Sequence, residues 1–412
     1  MADSFLEFDD LLSAIDDRSY NRPPALVSNA HITGLSVARA LAIHDVPVIA
    51  LDRTDNGVAP SSTAIDLAGR ITYPLDDLDG FQADIEEIAA ALGWEPIAFP
   101  CMDEWVHAYA QTEPEGVRLP FANREVIDGV LNKFALYERT ERLDIPYPET
   151  YRLDTTDPDD AAEALGFPLV IKPALKREFE EVMGTNIIEV NDSAEYHDVI
   201  NSAREGNVEI MAQEKVPIER GRDHSLVSYV PNDKDRETVT FTGNPVIRYP
   251  LSFGTSCVVK RSLEPAVEAN AVAVLEDAGY YGISEAEFVY DSDRETFVLL
   301  DINTRPWKWI GLPVFAGANL PWAAYAEAIG DDYDVSISQE ATWVYLPDYI
   351  RLLATNRTVD DVLTSADWRA LLSGSFENGS TITTGVYSPS DPGPAQQVLE
   401  TTFGHRQYYC SC

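Results

Sequence analysis

Glu285-Ala286-Glu287-Phe288-Val289-Tyr290 and Phe297-Val298-Leu299-Leu300-Asp301-Ile302-Asn303, joined by the polar turn Asp291–Thr296, are the stretch from which the fold can be read. Two apolar arms around a polar turn predict a β-hairpin. Folding it about Arg294 sets Tyr290 opposite Val298 and Glu287 opposite Asp301. Side chains alternate along a strand, so Asp301, Asn303 and Arg305 share one face. Opposed residues bring their Cβ atoms to about 5 Å, where like charges repel. Two carboxylates and an amide on one face ask for a cation, and oxygen-only donors favour Mg²⁺ or Mn²⁺ over zinc. The competing reading is a solvated acidic face.

That alternative has weight, because the chain is acidic throughout. Its 412 residues hold 30 Lys+Arg against 69 Asp+Glu, a formal net charge of -39. An apolar share of 45% with 10% aromatics still provides a core, so disorder is excluded. Nucleic-acid phosphate and anionic membranes would be repelled by such a surface, so neither is expected as a partner. The basic residues divide into seven lysines and 23 arginines. This composition resembles that of haloarchaeal cytosolic proteins, whose acidic, lysine-poor surfaces are screened by molar salt. A lysine that survives such depletion is expected to have a task.

Cys101, Cys257, Cys410 and Cys412 show no paired spacing and suit reduced thiols in a cytoplasm. Met1–Asp17 carries acids where a secretory signal carries bases, and its Phe5, Phe8, Leu11, Leu12 and Ile15 predict a short docked amphipathic helix. No apolar run approaches the roughly 18 residues that span a bilayer.

From Pro23 the pattern alternates. Strands are expected at Ala25–Ser28, Val46–Leu51 and Ile97–Pro100, with helices at Leu35–His44 and Asp103–Gln111. This predicts a parallel sheet whose ligands meet the carboxyl ends of its strands. The first turn, Ser28–Gly34, lacks the GxGxxG glycines of dinucleotide binding. Further on, a helix is expected from Asn132-Lys133 to Leu143. Strands follow at Leu165–Pro173, Ile187–Val190, Glu209–Gln213, Ser225–Tyr229 and Thr238–Asn244. Helices are read at Ser193–Ala203, Glu264–Ala278 and Val359–Leu372. Lys172, closing an apolar strand, and Lys133, opening a helix, suit an anion such as a nucleotide phosphate. In Ile210-Met211-Ala212-Gln213-Glu214-Lys215-Val216-Pro217 an apolar strand runs into polar residues, offering backbone to an adenine edge and a carboxylate to a ribose.

Lys133, Lys172 before Pro173, Gln213-Glu214, and Glu287 with Asp301-Ile302-Asn303-Thr304-Arg305-Pro306-Trp307 together resemble the ATP-grasp superfamily, closest to its carboxylate–amine ligase-like branch, over about Pro23 to Asp331. The trailing Ser388–Pro394 is similar to the end of that branch. The resemblance implies an α/β chain, α+β in its ATP-grasp part. A helical segment (1–22) would precede a Rossmann-like pre-ATP-grasp domain (23–125). The two-subdomain ATP-grasp fold (126–335) would follow, with a lid at about 150–215 and a C-terminal extension (336–412). It implies that Lys133 and Lys172 contact ATP phosphates and that Glu214 takes the ribose, assisted by Asp223. Gln213, Lys215 and Val216 would lie at the adenine. Glu287, Asp301 and Asn303 would hold Mg²⁺ or Mn²⁺, and Arg305 and Arg248 would face the reacting groups beside the loop Gly254–Cys257. Asp301 stands where many members have glutamate. Between Arg177 and Asn186, where many carry a glycine-rich phosphate loop, only Gly184 is present.

The implied reaction joins a small carboxylate to an amine through an acyl phosphate. A phosphotransferase or carboxylase on the same fold, and a silent ATP-binding protein, are the alternatives. A homodimer suits the fold. His31, in the first turn, is the histidine placed to meet substrate. Trp307 and Trp309 suit either pocket or packing, and Cys257 reads as a buried thiol. The composition itself is testable: thermal unfolding followed by circular dichroism should shift upward by several degrees between about 0.1 M and about 2 M KCl, as carboxylate repulsion is screened. An unchanged or lowered midpoint would remove the salt-adapted reading.

Overall fold

In the computed structural model, residues 5–173, 179, 182–185, 187–219, 221–251, 253–337, 340–356, 359, 362–374 and 381–403 are described. Helix α1 (Phe8–Asp16) lays Leu11 and Ile15 on the body. The chain then builds β1 (Ala25–Ser28), α2 (Ile32–Ala42), β2 (Val48–Asp52), β3 (Leu67–Arg70), α3 (Leu78–Leu92), β4 (Ile97–Pro100) and α4 (Asp103–Thr112). The four strands form a parallel sheet in the order β3-β2-β1-β4.

Several local expectations shift. Helix α2 starts three residues before Leu35, after a short turn, 29–31, in which Asn29 takes φ 73°. Gly34 is therefore inside the helix, where a Cβ would lie 2.4 Å from the Asn29 carbonyl oxygen. Strand β3 gave no apolar signal of its own. Its Gly69 sits under Leu11, where a Cβ would meet Leu11 Cδ2 at 2.7 Å, so the strand is defined by its cover.

Helices α5 (Arg124–Leu131) and α6 (Lys133–Arg142) lead into β5 (Thr150–Arg152), α7 (Pro158–Leu165), β6 (Leu169–Pro173), β7 (Ile188–Val190), α8 (Ser193–Glu205) and β8 (Ile210–Glu214). The expected strand from Leu165 starts at Leu169, because an Asp157 cap opens a helix that Gly166 closes at φ 69°. These strands form a small antiparallel sheet, β5-β8-β6-β7. Leu169, Ile171, Ile210 and Ala212 pack on Ala161, Tyr196 and Ile200 of its helices, a core of its own.

The large sheet follows: β9 (His224–Val230), β10 (Val239–Tyr249), β11 (Thr255–Arg261), α9 (Pro265–Asp277), β12 (Gly282–Asp291) and β13 (Thr296–Asn303). Strand β10 outruns the expected end at Asn244, so Arg248 is a strand residue. Of the expected loop Gly254–Cys257, all but Gly254 belongs to the start of β11, paired with β10 through Arg248↔Ser256 and Tyr249↔Thr255. After α10 (Gly311–Ala316) and α11 (Leu320–Ile329), β14 (Thr342–Val344), α12 (Leu346–Thr355), α13 (Ser365–Ser373), β15 (Ile382–Thr384) and α14 (Gly393–Phe403) complete the fold. Strands β14 and β15 extend the large sheet to seven, in the order β13-β12-β9-β10-β11-β14-β15. The C-terminal stretch is thus built into the central sheet. The helix expected at Val359–Leu372 begins at Ser365, where Thr364 and Asp367 form a capping box. Two apolar clusters each combine residues of the parallel sheet with residues of the large sheet, Leu26 with Phe288 in one and Val27 with Val227 in the other.

The chain end is fastened by one carboxylate. Asp391 accepts from Arg39 Nε (3.0 Å) and Nη2 (2.8 Å), Ser62 Oγ (2.6 Å) and the Thr63 amide (2.9 Å). Burial alone would raise its pKa; the bonds from Ser62, Thr63 and Arg39 outweigh this and hold it below 3.8. We predict that Asp391→Ala costs about 2 kcal/mol in urea unfolding at neutral pH, the scale of charge-assisted bonds lost. A carboxyl depressed in the folded state stabilises above its unfolded pKa and loses that contribution as pH falls through the folded value. The difference between wild type and variant should therefore shrink below about pH 4. A penalty independent of pH would contradict this.

Candidate active site

Strands β12 and β13 pair as expected at the acidic end, with Glu285↔Asn303 and Glu287↔Asp301. At the turn end the register is one residue different. Tyr290 faces Phe297, not Val298, because Leu300 bulges between Phe288↔Leu299 and Glu287↔Asp301. The bulge is held from outside: Tyr137 Oη donates to the Leu300 carbonyl (2.9 Å), and the Leu299 amide donates to Pro146 (2.9 Å).

Across the sheet, Ser225 of β9, Glu287 and Asp301 stand in one row. Lys133 Nζ, at the start of α6, donates to Asp301 Oδ1 at 2.9 Å, with the two side chains 5% and 8% exposed. Arg248 lies between Asp223, 3.1 Å from Nε, and Glu287, 3.4 Å from both terminal nitrogens; it also reaches the Gly254 carbonyl at 3.4 Å. Asn303 Nδ2 donates to Glu285 (3.0 Å) and Glu287 (3.4 Å). Arg305 donates to Asp103 Oδ1 at 2.6 Å, the first residue of α4, which brings the parallel sheet's strand ends to the hairpin.

Two acids escaped the sequence reading. Glu285 shares the parity of Glu287, and that signal was present in the sequence. It is buried, accepts from Trp309 Nε1 at 2.9 Å, and its carboxyl is pushed up to about 8 by burial and by the Glu287 charge, against Arg305, Arg248 and Asn303. Asp103 lies just past β4, at a strand end of the kind where ligands are expected, but only the tertiary fold sets it on Arg305. That neighbour, working against burial, holds the Arg305 guanidinium above its ordinary value.

The hinge residues lie at the other end. Gln213 is buried and donates to Tyr137 Oη (3.1 Å) and Thr150 Oγ1 (2.8 Å). Glu214 accepts from the Glu149 amide (2.6 Å) and from Arg294. Lys215 pairs with Glu189 at 2.7 Å, and Val216 packs with Val289 and Val298. Lys172 pairs with Met211, so it occupies the face opposite the small sheet's own core. Met211 belongs to the main core with Phe134 and Tyr137, so that face is turned toward α6. Asp223 is placed with Arg248 rather than at the hinge. His31 is buried at the start of α2, with its pKa lowered by burial. Trp307 and Trp309 are core, and Cys257 is a buried thiol pushed up to about 12. Half of the Arg177–Asn186 segment, and Cys410 and Cys412, lie outside the described residues.

Among the described residues, no group of three or more His, Cys, Asp or Glu is arranged to hold a metal ion. The acids are instead engaged by Lys133, Arg248 and Asn303. The donor set nonetheless suits a hard cation. It is all oxygen, and Asp223 Oδ1 and Ser225 Oγ, both in buried residues, meet no hydrogen-bond partner among the described residues. Nor is any described helix long and apolar enough to cross a membrane.

No protein-family model matches the chain. A D-aspartate ligase of Enterococcus faecium is 24% identical over 230 residues, 53% of this chain and 54% of that protein, so the chain spans about half the length of that relative. N5-carboxyaminoimidazole ribonucleotide synthetase, solved with ADP, superposes at TM-score 0.63 and 15% identity over 82% of this chain and 85% of its own. Biotin carboxylase from Campylobacter jejuni, solved as a β,γ-ATP complex, does so at 0.60 and 12%, over 77% and 74%. These likenesses show the fold, an N-terminal parallel α/β domain followed by a two-sheet ATP-grasp unit.

The Lys133–Asp301 pair gives a direct test. Lys133→Met would leave Asp301 buried without its ammonium, an expected loss of about 3 kcal/mol in urea unfolding without ligands. Adding Asp301→Asn should recover part of it. A single variant as stable as wild type would show that the pair is not formed.

Proposed function

We propose that this chain is an ATP- and Mg²⁺-dependent ligase that joins a carboxylate to an amine through an acyl phosphate, releasing ADP and phosphate. The observation that carries this reading is the gathering of Lys133, Arg248 and Arg305 with Glu285, Glu287, Asp301 and Asn303 around one hairpin face, in a fold shared with an ADP-bound synthetase. The half-length match to a D-aspartate ligase makes D-aspartate the first carboxylate to try.

In this reading Gln213, Glu214, Lys215 and Val216 receive adenine and ribose, and Lys133 and Lys172 receive the phosphates. Asp223, assigned to the ribose by resemblance, is better supported as the partner that orients Arg248. Glu287, Asp301 and Asn303, with Glu285 behind them, would hold magnesium, which supplies charge neutralisation at the phosphates. Arg305, fixed by Asp103, and Arg248 hold the substrate carboxylate in line with the γ-phosphorus. The carboxylate oxygen forms the new bond there as the bridge to ADP breaks. The amine, its ammonium proton released to solvent, then attacks the acyl carbon as the bond to phosphate breaks, and the proton shed by the nitrogen leaves with the phosphate. The chain's share is positioning and electrostatic stabilisation. The small sheet and its helices, residues 150–215, would exclude water from the acyl phosphate.

The solved structures of this fold include a biotin carboxylase domain bound to bicarbonate, so bicarbonate is the competing carboxylate. Purified protein in molar KCl should release ADP only when both a carboxylate and an amine are present. Lys172→Ala should lower that rate about 100-fold or more, as for removal of one transition-state donor. Hydroxylamine should trap a hydroxamate of the carboxylate. Turnover without hydroxamate would remove the acyl phosphate, and ADP release with bicarbonate in place of an organic acid would favour the carboxylase.

A further inference from the structure

One buried cation beside the site has no part in the proposed reaction. Lys308 stands three residues after Arg305, in a chain with seven lysines, and is 8% exposed. Its ammonium lies 3.0 Å from Thr255 Oγ1, 3.1 Å from Asp348 Oδ2 and 4.3 Å from the centre of the Tyr345 ring. Two observations place it next to the substrate groups. Thr255 follows Gly254, whose carbonyl accepts from Arg248 at 3.4 Å, and precedes Ser256, which pairs with Arg248 across β10 and β11. Lys308 and Arg248 therefore flank one short stretch, 254–256. Tyr345 also shares an apolar cluster with Trp309, the donor to Glu285, so Lys308 lies on the side of the large sheet that faces the parallel sheet.

The pairing of Lys308 is of a kind that a ligand can share. Asp348 has a second base, Arg351 of α12, at 3.6 Å. These three groups together carry one positive charge in excess of negative charge. If an anion draws Lys308 toward it, Asp348 keeps a counter-charge from Arg351, so no acid is stranded in the interior. We infer that Lys308 reads a second carboxylate on the acid substrate, so that the site selects a dicarboxylic acid. One carboxylate goes to Arg305 and Arg248 for activation, and the other to the Lys308 ammonium and the Thr255 hydroxyl. A monocarboxylate makes one charge-assisted bond fewer. The inference rests on the ligase reading and adds to it the class of acid.

The test gives wild type ATP, Mg²⁺ and hydroxylamine, which takes the place of the amine, in molar KCl. Hydroxamate is measured from D-aspartate, L-aspartate, succinate and glutarate, and from the corresponding monoamides. The best dicarboxylate should exceed its monoamide at least about tenfold in kcat/KM, the scale of one charged hydrogen bond. In Lys308→Met that ratio should fall to near one through the KM of the dicarboxylate, and Lys308→Arg should restore part of it. A role confined to tying β11 to α12 would lower both acids together and leave the ratio intact. If Lys308→Met fails to fold by circular dichroism, Arg351→Met decides, because its side chain is 51% exposed. Leaving Asp348 wholly to Lys308, it should raise the KM of the dicarboxylate several-fold, and an unchanged KM counts against the inference. Equal use of monoamides by wild type overturns the inference and leaves the ligase reading standing. So does a ratio that survives Lys308→Met, as it would if Lys308 served a carboxylate of the amine substrate. No hydroxamate from any acid of either set overturns both.

Discussion

Asp301 is a carboxylate in the interior, one strand from Glu287 and one row from Glu285, and such a group is tolerated only with a counter-charge. Lys133 provides it at 2.9 Å. That single pair fixes the start of α6 against β13, and α6 in turn carries Tyr137, which reaches the bulged Leu300 and the hinge residue Gln213. Breaking one member of a buried pair costs several times more than the intact pair contributes. The geometry of hairpin, helix and hinge is therefore held by an electrostatic requirement at the centre of the site.

The same requirement explains why the parallel sheet is attached as it is. Arg305 joins the hairpin face to Asp103 at the start of α4, while Trp309 donates to Glu285. Each acid of the hairpin is thus met by a donor from a different element: α6, β10, or the segment after β13. Farther out, Lys308 joins Thr255 and Asp348, coupling β11 to the C-terminal stretch by the same kind of buried contact. The N-terminal sheet, the large sheet and the chain end meet through charged groups that would be unstable apart.

How much of this was written in the sequence follows from the range of each interaction. The hairpin was legible because alternation is local, and the pairing Glu287↔Asp301 was found. Yet it was found with a turn centre that misplaced Tyr290. The bulge at Leu300 restores the register, and the bulge exists because Tyr137 and Pro146 hold it from outside. Local pattern cannot reveal a contact made from 163 residues away. Helix α3 was missed although its signals were present, an Asp77 cap and a left-handed Gly93. Strand β3 was missed for a better reason: Gly69 is there to admit Leu11, and nothing in four residues announces a neighbour. Glu285 was legible by parity and overlooked; Asp103 stands at a strand end that the alternation pointed to, but its partner, Arg305, was not legible.

The scarcity of lysine sharpens the electrostatic argument. In a chain of net charge -39, any mobile cation in solution has many carboxylates to visit, and a selective site must differ from the surface in something other than negative charge. The difference here is burial together with built-in compensation. Surface acids are open and screened by salt, whereas Asp301 and Glu287 are already matched by Lys133 and Arg248. Lys308, the other buried lysine among the described residues, is likewise paired with an aspartate, Asp348. What the protein retains of lysine at these two places is a compact charge on a long stem, able to neutralise an acid from another element.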